Sequence, residues 1–200
     1  MGTWKLTIDF NAGLPHGFHV GSGYGFAGRI DQALLRDAQG LPFIPGSTLK
    51  GKLRHAAREI APSLGHEVKE RDCLPKPGER PCVICRIFGS PFRAGKLFVS
   101  DATANLVENP LLGLATMEKA APRIWEERTG VAIDRRTRTA SARLLFRTEA
   151  APAGLSLQAT LTGNLDENTE TPLLKAAVKT LCWLGADSSR GLGGCQCRLL

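Results

Sequence analysis

The stretch LPFIPGSTLKGKLR at residues 41–54 decides the fold, because an extended segment turns there into a basic helix. Pro45 and Gly46 end the extended segment, and Ser47 or Thr48 can cap the helix that follows. The first turn of a helix presents backbone amides without helical partners, and these amides attract anions. This stretch therefore predicts a helix whose entrance binds phosphate.

The predicted helix covers about residues 47–61 and carries a basic face. Lys50 and Arg54 lie one turn apart on the same side, and Lys52 stands between them in the sequence. An RNA strand would fit against this face. The alternative is an ordinary amphipathic helix whose basic side is solvated.

Alternating apolar and polar residues mark the strands. Residues 4–10 alternate with the period of a half-buried strand, and a short strand is expected at 97–99. The segments 143–148 and 155–162 resume this alternation, and we expect them to pair with each other as a hairpin.

A second helix close to the end of the chain has clear signals at both ends. Thr171 is expected to cap it, Pro172 to take its first position and Gly185 to terminate it. A last strand follows at 195–200. The resulting β-α-β then β-α-β order predicts an α+β domain of the ferredoxin-like or RRM-like (RNA-recognition-type) plan.

Composition limits the class of protein. The 200 residues are 42% hydrophobic, which suits one globular domain with a core. A net charge of +7 favours a polyanionic partner such as nucleic acid. There is no apolar run of about 18 residues and no secretory leader, so we expect a soluble, cytoplasmic protein without a membrane partner.

Three of the six cysteines cluster in the polar, proline-rich segment 62–95, which has the composition of an insertion. Cys73, Cys82 and Cys85 supply three ligands of the type that zinc prefers, and His66 can supply the fourth. His55 is the alternative fourth ligand. The prediction is a structural zinc site, and the other interpretation is a set of reduced thiols without metal.

The other three cysteines have an apolar setting. Cys182 falls in the second predicted helix, while Cys195 and Cys197 share one face of the last strand. We expect all three to be core thiols.

Two further segments have the composition of backbone-binding loops. GVAIDRRTR at 130–138 is a basic ribbon, and SSRGLGG at 188–194 is a glycine-rich turn whose glycines permit positive φ and a close approach to the backbone. An exposed basic loop and a simple connecting turn are the alternatives. With one Tyr and three Trp in the chain, recognition of RNA should rest on backbone and shape rather than on base stacking.

Taken in order, these motifs resemble the RAMP superfamily of CRISPR-associated proteins, and in particular the repeated backbone subunit of type III effector complexes. The resemblance covers nearly the whole chain. It rests on the glycine turn at 21–25, the Ile30-Asp31 pair, the stretch at 41–54, CVICRIFG at 82–89, the ribbon at 130–138 and the glycine-rich turn at 188–194.

The resemblance implies roles for individual residues. Asp31 would be the acid needed to cut target RNA, with Mg²⁺ or Mn²⁺ as its cation. The ribbon would belong to a β-hairpin thumb that wedges into the guide-target duplex, with Asp134 as an arginine partner. The RNA-binding residues so predicted are Ser47, Lys50, Lys52, Arg54, Ile133, Arg135, Arg136, Arg138, Arg190, Gly191 and Gly193.

The resemblance also implies an organisation and a function. One domain would span 1–200, with its core at about 1–61, 97–116 and 141–200, the insertion at about 62–95 and the thumb at about 117–140. The chain would bind crRNA, assemble as a filament of copies with other type III effector subunits, and cleave guide-complementary target RNA. Two alternatives are a catalytically silent structural subunit and a stand-alone CRISPR RNA-processing endoribonuclease that uses His16 or His19.

Overall fold

The structure is a computed structural model that describes residues 1–10, 17–26, 28–68, 80–104 and 125–200. Two short 3-10 turns lie at Pro62–Leu64 and Ser188–Arg190. The strands and helices of the described ranges are, in chain order, β1 (Gly2–Asp9), α1 (Gly46–Ile60), α2 (Val83–Phe88), β2 (Leu97–Val99), β3 (Thr103–Ala104), β4 (Glu126–Ile133), β5 (Ala140–Ala150), β6 (Ser156–Gly163), α3 (Glu170–Thr180) and β7 (Gln196–Leu199).

The main sheet has the strand order β2-β6-β1-β7, and β3 also pairs with β6. All of these pairings are antiparallel. β1 and β6 pair along their whole length, from Gly2 opposite Gly163 to Asp9 opposite Ser156. The alternation predicted for the first strand is confirmed, because Leu6 and Ile8 are fully buried in the core.

The helices α1 and α3 pack against each other, and their apolar residues belong to the same core cluster as those of the sheet. The helix predicted from 41–54 is confirmed, with Leu49 and Leu53 buried on its inner side. The predicted cap is wrong, since neither Ser47 nor Thr48 makes a capping hydrogen bond. Asp101 caps the helix instead, because its Oδ1 accepts the N–H of Gly46 at 2.7 Å.

The predicted hairpin between 143–148 and 155–162 is wrong. β5 pairs with β4 as a separate two-stranded sheet, whereas β6 pairs with β1, β2 and β3. Both segments have alternating patterns, and such patterns do not specify the partner of a strand. The hairpin formed by β4 and β5 extends to Ala150, which pairs with Glu126.

The segment 62–95 is not wholly outside the core. In α2 the side chains of Val83, Ile84 and Ile87 are buried and belong to the main core cluster. A network around the buried Glu170 also anchors this helix, because the Glu170 carboxylate lies 3.1 Å from Arg86 and 2.8 Å from Nζ of Lys96. Although α2 lies in a segment with the composition of an insertion, it belongs to the core.

The second predicted helix forms, but it ends early. Thr169 precedes α3, so that Thr171 and Pro172 lie in its first turn, and the helix stops at Thr180 rather than near Gly185. As a result Cys182 lies beyond the helix and is exposed, which corrects its prediction as a core thiol. Cys195 is buried as expected. In the part of the chain that the structure describes, no helix has the length and apolar character needed to cross a bilayer.

Candidate nucleic-acid interface

Asp31 lies on an exposed loop that is fastened to the end of β5. Its backbone N–H donates to the carbonyl oxygen of Arg147 at 2.9 Å, and its Oδ2 accepts the N–H of Arg147 at 2.7 Å. Gln32 continues this pairing as a parallel bridge to Thr148. Within the described residues, Oδ1 of Asp31 makes no hydrogen bond, whereas Oδ2 is bonded to Arg147.

A cleft of about 420 Å³ lies beside Asp31. Glycines line one wall, because the chain passes there through Gly21 and Gly23. Tyr24 borders the cleft and is 82% exposed, and Ala186, from the loop that follows α3, also lines it. Asp31 therefore lines a cleft from an exposed loop that is paired with the end of β5.

The glycine-rich turn lies against the base of the β4–β5 hairpin. The Arg190 guanidinium is 5.5 Å from the centroid of the Phe146 ring and bonds Oδ1 of Asp187 at 3.2 Å. A small cleft of about 150 Å³ separates this turn from the hairpin. The structure therefore brings Arg190, the hairpin base and the Asp31 loop into one region.

The two predicted glycines of this turn have different surroundings. Gly191 and Gly193 both have positive φ, at 85° and 81°. Gly193 is buried, its N–H donates to the carbonyl oxygen of Gly17, and an added Cβ would lie 2.1 Å from the carbonyl oxygen of Leu184. Packing alone thus explains the glycine at 193.

The tip of the hairpin is exposed and basic. Arg135, Arg136 and Arg138 are all exposed, and the side chain of Ile133 is 64% exposed. Asp134 organises the turn, because its Oδ1 accepts the N–H groups of Arg136 at 2.7 Å and Thr137 at 3.3 Å. Asp134 is therefore a turn-forming residue, and among the described residues its carboxylate bonds backbone N–H groups and no guanidinium.

The basic face of α1 is positioned by another part of the fold, since α1 packs against α2, α3 and β2. Ser47 and Lys52 are exposed, whereas Lys50 and Arg54 are half-buried. Burial, and then the neighbouring Arg54 guanidinium, lower the pKa of the Lys50 ammonium group. A phosphate at this face would relieve that repulsion.

The predicted zinc ligands are described only in part. Cys82 immediately precedes α2, Cys85 lies one turn inside it and is 1% exposed, and His66 is half-buried after the first 3-10 turn. Cys73 lies outside the described residues. Among the described side chains no three His, Cys, Asp or Glu residues form a metal site, so His66, Cys82 and Cys85 do not come together there.

Sequence reasoning missed a second cleft on the other side of the Asp31 loop. It measures about 410 Å³, and the Arg36 guanidinium lies 3.7 Å above the centre of the Trp125 ring at its wall. Arg36 also pairs with the buried carboxylate of Glu149. A glutamate at the end of an alternating strand has no sequence signal that distinguishes it from a solvated residue.

The sequence model of the RAMP superfamily matches residues 16–196. The chain belongs to the RAMP superfamily. It is 29% identical over 150 residues to the "CRISPR system Cms endoribonuclease Csm3" of Streptococcus thermophilus. That alignment covers 68% of this chain and 64% of the curated relative, so the chain matches somewhat less than two thirds of the relative's length.

Two solved structures contain chains of the same fold. One chain comes from "Cryo-EM structure of the Type III-B Cmr-beta bound to cognate target RNA", with a TM-score of 0.69 at 14% identity over 100% of this chain and 97% of that chain. The other comes from "Type III-B Cmr-beta Cryo-EM structure of the Apo state", with a TM-score of 0.65 at 15% identity over 99% and 97% of the two chains. At these identities the likeness shows a shared mixed α/β fold.

Proposed function

We propose that this RAMP-superfamily chain is a crRNA-binding backbone subunit of a type III CRISPR ribonucleoprotein in the cytoplasm, and that it cleaves target RNA complementary to the guide. One observation carries the proposal: a carboxylate with an open oxygen, Asp31, is fastened by its backbone to the base of an arginine-tipped hairpin. The similar proteins support this, since one is an endoribonuclease and the solved assemblies are type III.

The proposed chemistry uses Asp31 at the scissile phosphate. Arg147 fixes the direction of the carboxylate through its backbone N–H, and Oδ1 of this exposed residue has no hydrogen-bond partner among the described residues. A carboxylate oxygen of this kind is a suitable ligand for Mg²⁺ or Mn²⁺. When bound, such a cation would stabilise negative charge that develops on the phosphate.

The proposed RNA contacts hold the backbone and do not read bases. The exposed arginines at 135, 136 and 138 can bind phosphates, and the exposed Ile133 can wedge between bases. Sequence specificity would belong to the pairing of guide and target, as in other RNA-guided systems. Arg190, Ser47, Lys50, Lys52 and Arg54 are the remaining basic or polar contacts that we propose.

The topology supports the ferredoxin-like interpretation. β1-α1-β2 and β6-α3-β7 are two β-α-β units whose strands interleave as β2-β6-β1-β7, which is the arrangement of a split β-α-β domain. The hairpin projects from this domain with an exposed tip. We propose that copies of the chain line up along one guide and contact other effector subunits.

The zinc site remains part of the proposal. Cys82 and Cys85 have the spacing of a zinc-binding pair at the start of a short helix. Cys73 and His66 would complete the site. His66, Cys82 and Cys85 do not form a metal site in the described part of the chain, so His66 would have to lie closer to the two cysteines when zinc is bound. A closed site with four protein ligands would hold the 62–95 segment together.

Of the two other functions, RNA processing by a histidine receives little support. His16 lies outside the described residues, and His19 is 3% exposed with its Nδ1 2.5 Å from the carbonyl oxygen of Glu149. The silent structural subunit differs from the proposal only in the role of Asp31.

The test uses the assembled complex. The chain is co-expressed with a guide RNA of known sequence and the particle is purified with its RNA. We expect labelled target that is complementary to the guide to be cut at regular intervals, while a scrambled target stays intact. A chain that does not co-purify with guide RNA contradicts the proposed function.

A further inference from the structure

Glu149 is a buried carboxylate at the base of the hairpin, only 3% exposed, in a position where few proteins place a charge. Its Oε2 accepts the N–H of Leu34 at 3.0 Å and pairs with the Arg36 guanidinium. Its own N–H donates to the carbonyl oxygen of Gln32 at 3.0 Å. Three contacts of one residue therefore hold the segment that begins at Asp31.

The same residue reaches the loop that follows α3. The carbonyl oxygen of Glu149 accepts a hydrogen bond from Nδ1 of His19, and the carbonyl oxygen of His19 accepts the N–H of Ala186 at 2.8 Å. Ala186 and His19 both line the cleft beside Asp31. Glu149 thus joins the three segments that surround this cleft.

The ion pair of Glu149 also connects the Asp31 loop to the other strand of the hairpin. Arg36 stacks on Trp125, which immediately precedes β4. A buried ion pair costs desolvation that apolar packing would avoid, so its stability gain is small. The chain nevertheless places one where the hairpin and the loop meet, which points to a role in geometry.

We propose that Glu149 is a positioning residue for Asp31: its carboxylate locks the 31–36 segment to the hairpin, so that the hairpin and the Asp31 carboxylate act on RNA as one rigid unit. This inference rests on the proposed function of Asp31. Without the lock, the hairpin would still bind RNA, but Asp31 would no longer be held at a fixed distance from the strand.

The test compares two buried glutamates of similar environment. Glu170 is 1% exposed and pairs with Arg86 and Lys96 at the junction of α2, β2 and α3. Glu149→Gln and Glu170→Gln each remove the negative charge of a buried carboxylate from its cationic partners, so both should lower the melting temperature. Only Glu149→Gln should slow single-turnover cleavage at saturating target, by about 100-fold, with the half-saturating target concentration unchanged. Equal cleavage rates in the two variants would overturn the positioning role.

A second measurement does not depend on cleavage. Hydrogen exchange of the isolated protein should show faster exchange at the amides of Asp31, Gln32 and Leu34 in Glu149→Gln and not in Glu170→Gln. Unchanged protection there overturns the lock even if the wild-type complex proves inactive. Faster exchange with a wild-type complex that does not cut would support the lock and contradict the proposed function.

Discussion

Asp31 and Arg147 exchange two hydrogen bonds, and both use the backbone of Arg147. The N–H of Asp31 donates to the carbonyl oxygen of Arg147 at 2.9 Å, and Oδ2 of Asp31 accepts the N–H of Arg147 at 2.7 Å. The direction of the carboxylate therefore depends on the main chain at 147 and not on the arginine side chain. The side chain of Arg147 is exposed and available for phosphate.

Because the backbone of Arg147 holds Asp31, two different substitutions of Arg147 should have different effects on cleavage. Arg147→Ala keeps the N–H, so cleavage at saturating target should stay near the wild-type rate while affinity for RNA falls. Arg147→Pro removes the N–H that Asp31 accepts. This N–H points to Asp31 and not to β4, so proline would remove no hydrogen bond between β4 and β5. We therefore expect a variant that folds but does not cleave RNA. Single-turnover rates and circular dichroism of both variants check this, and equal rates would contradict it.

Lys50 and Arg54 should contribute to the salt dependence of RNA binding. For single-stranded RNA each lost phosphate contact lowers the slope of log K against log salt by roughly 0.7, nearly independently of sequence. The Lys50→Ala and Arg54→Ala double variant should show this decrease. Lys175→Ala with Lys179→Ala, on the exposed side of α3, is the matched control and should leave the slope unchanged. An unchanged slope in the first variant rejects this contact.

The lowered pKa of Lys50 makes a pH prediction. Burial and the Arg54 charge favour the neutral amine, whereas a bound phosphate favours the ammonium ion. Above the pKa that Lys50 has in the protein without RNA, binding of RNA should therefore be coupled to uptake of a proton by Lys50. The affinity for RNA should then fall as the pH rises further. Lys50→Arg stays charged and should remove this fall. Binding titrations from neutral to alkaline pH, with short incubations, compare the two proteins.

Two measurements test zinc binding: the metal content of the purified protein and its sensitivity to proteolysis. If Cys73, Cys82, Cys85 and His66 form a closed site, protein purified without chelator should carry about one zinc per chain. Cys82→Ser should lose the metal and increase proteolysis within 62–95. Cys182→Ser, at an exposed cysteine outside the cluster, is the control. Metal-free wild-type protein would exclude the site.

Local sequence patterns predicted which segments form strands and helices better than they predicted which strands pair with each other. The alternation at 4–10 and the start signals at 45–46 gave β1 and α1 because burial on one face determines such patterns. The partner of β5 was missed, since alternation carries no information about long-range pairing. Helix α2 was missed because its apolar run is short and follows a polar, proline-rich segment.

The candidate site was predictable to a similar extent. Asp31 was found through its motif, and its exposed loop is present. Arg147, Glu149 and Arg36 support the Asp31 loop. The first two lie more than 100 residues away in the sequence, and only the folded chain brings them to the loop. The cap by Asp101 was missed for the same reason.

The substitution Asp31→Ala tests the proposed activity most directly. In the proposed role the carboxylate acts on the scissile phosphate and does not hold the guide, so removal of its negative charge should leave RNA binding equal or slightly tighter. The assembled variant should capture complementary target normally and fail to cut it, while the wild-type complex makes regularly spaced cuts that depend on a divalent cation. Cleavage by Asp31→Ala at the wild-type rate would contradict the assignment and leave a structural subunit in its place.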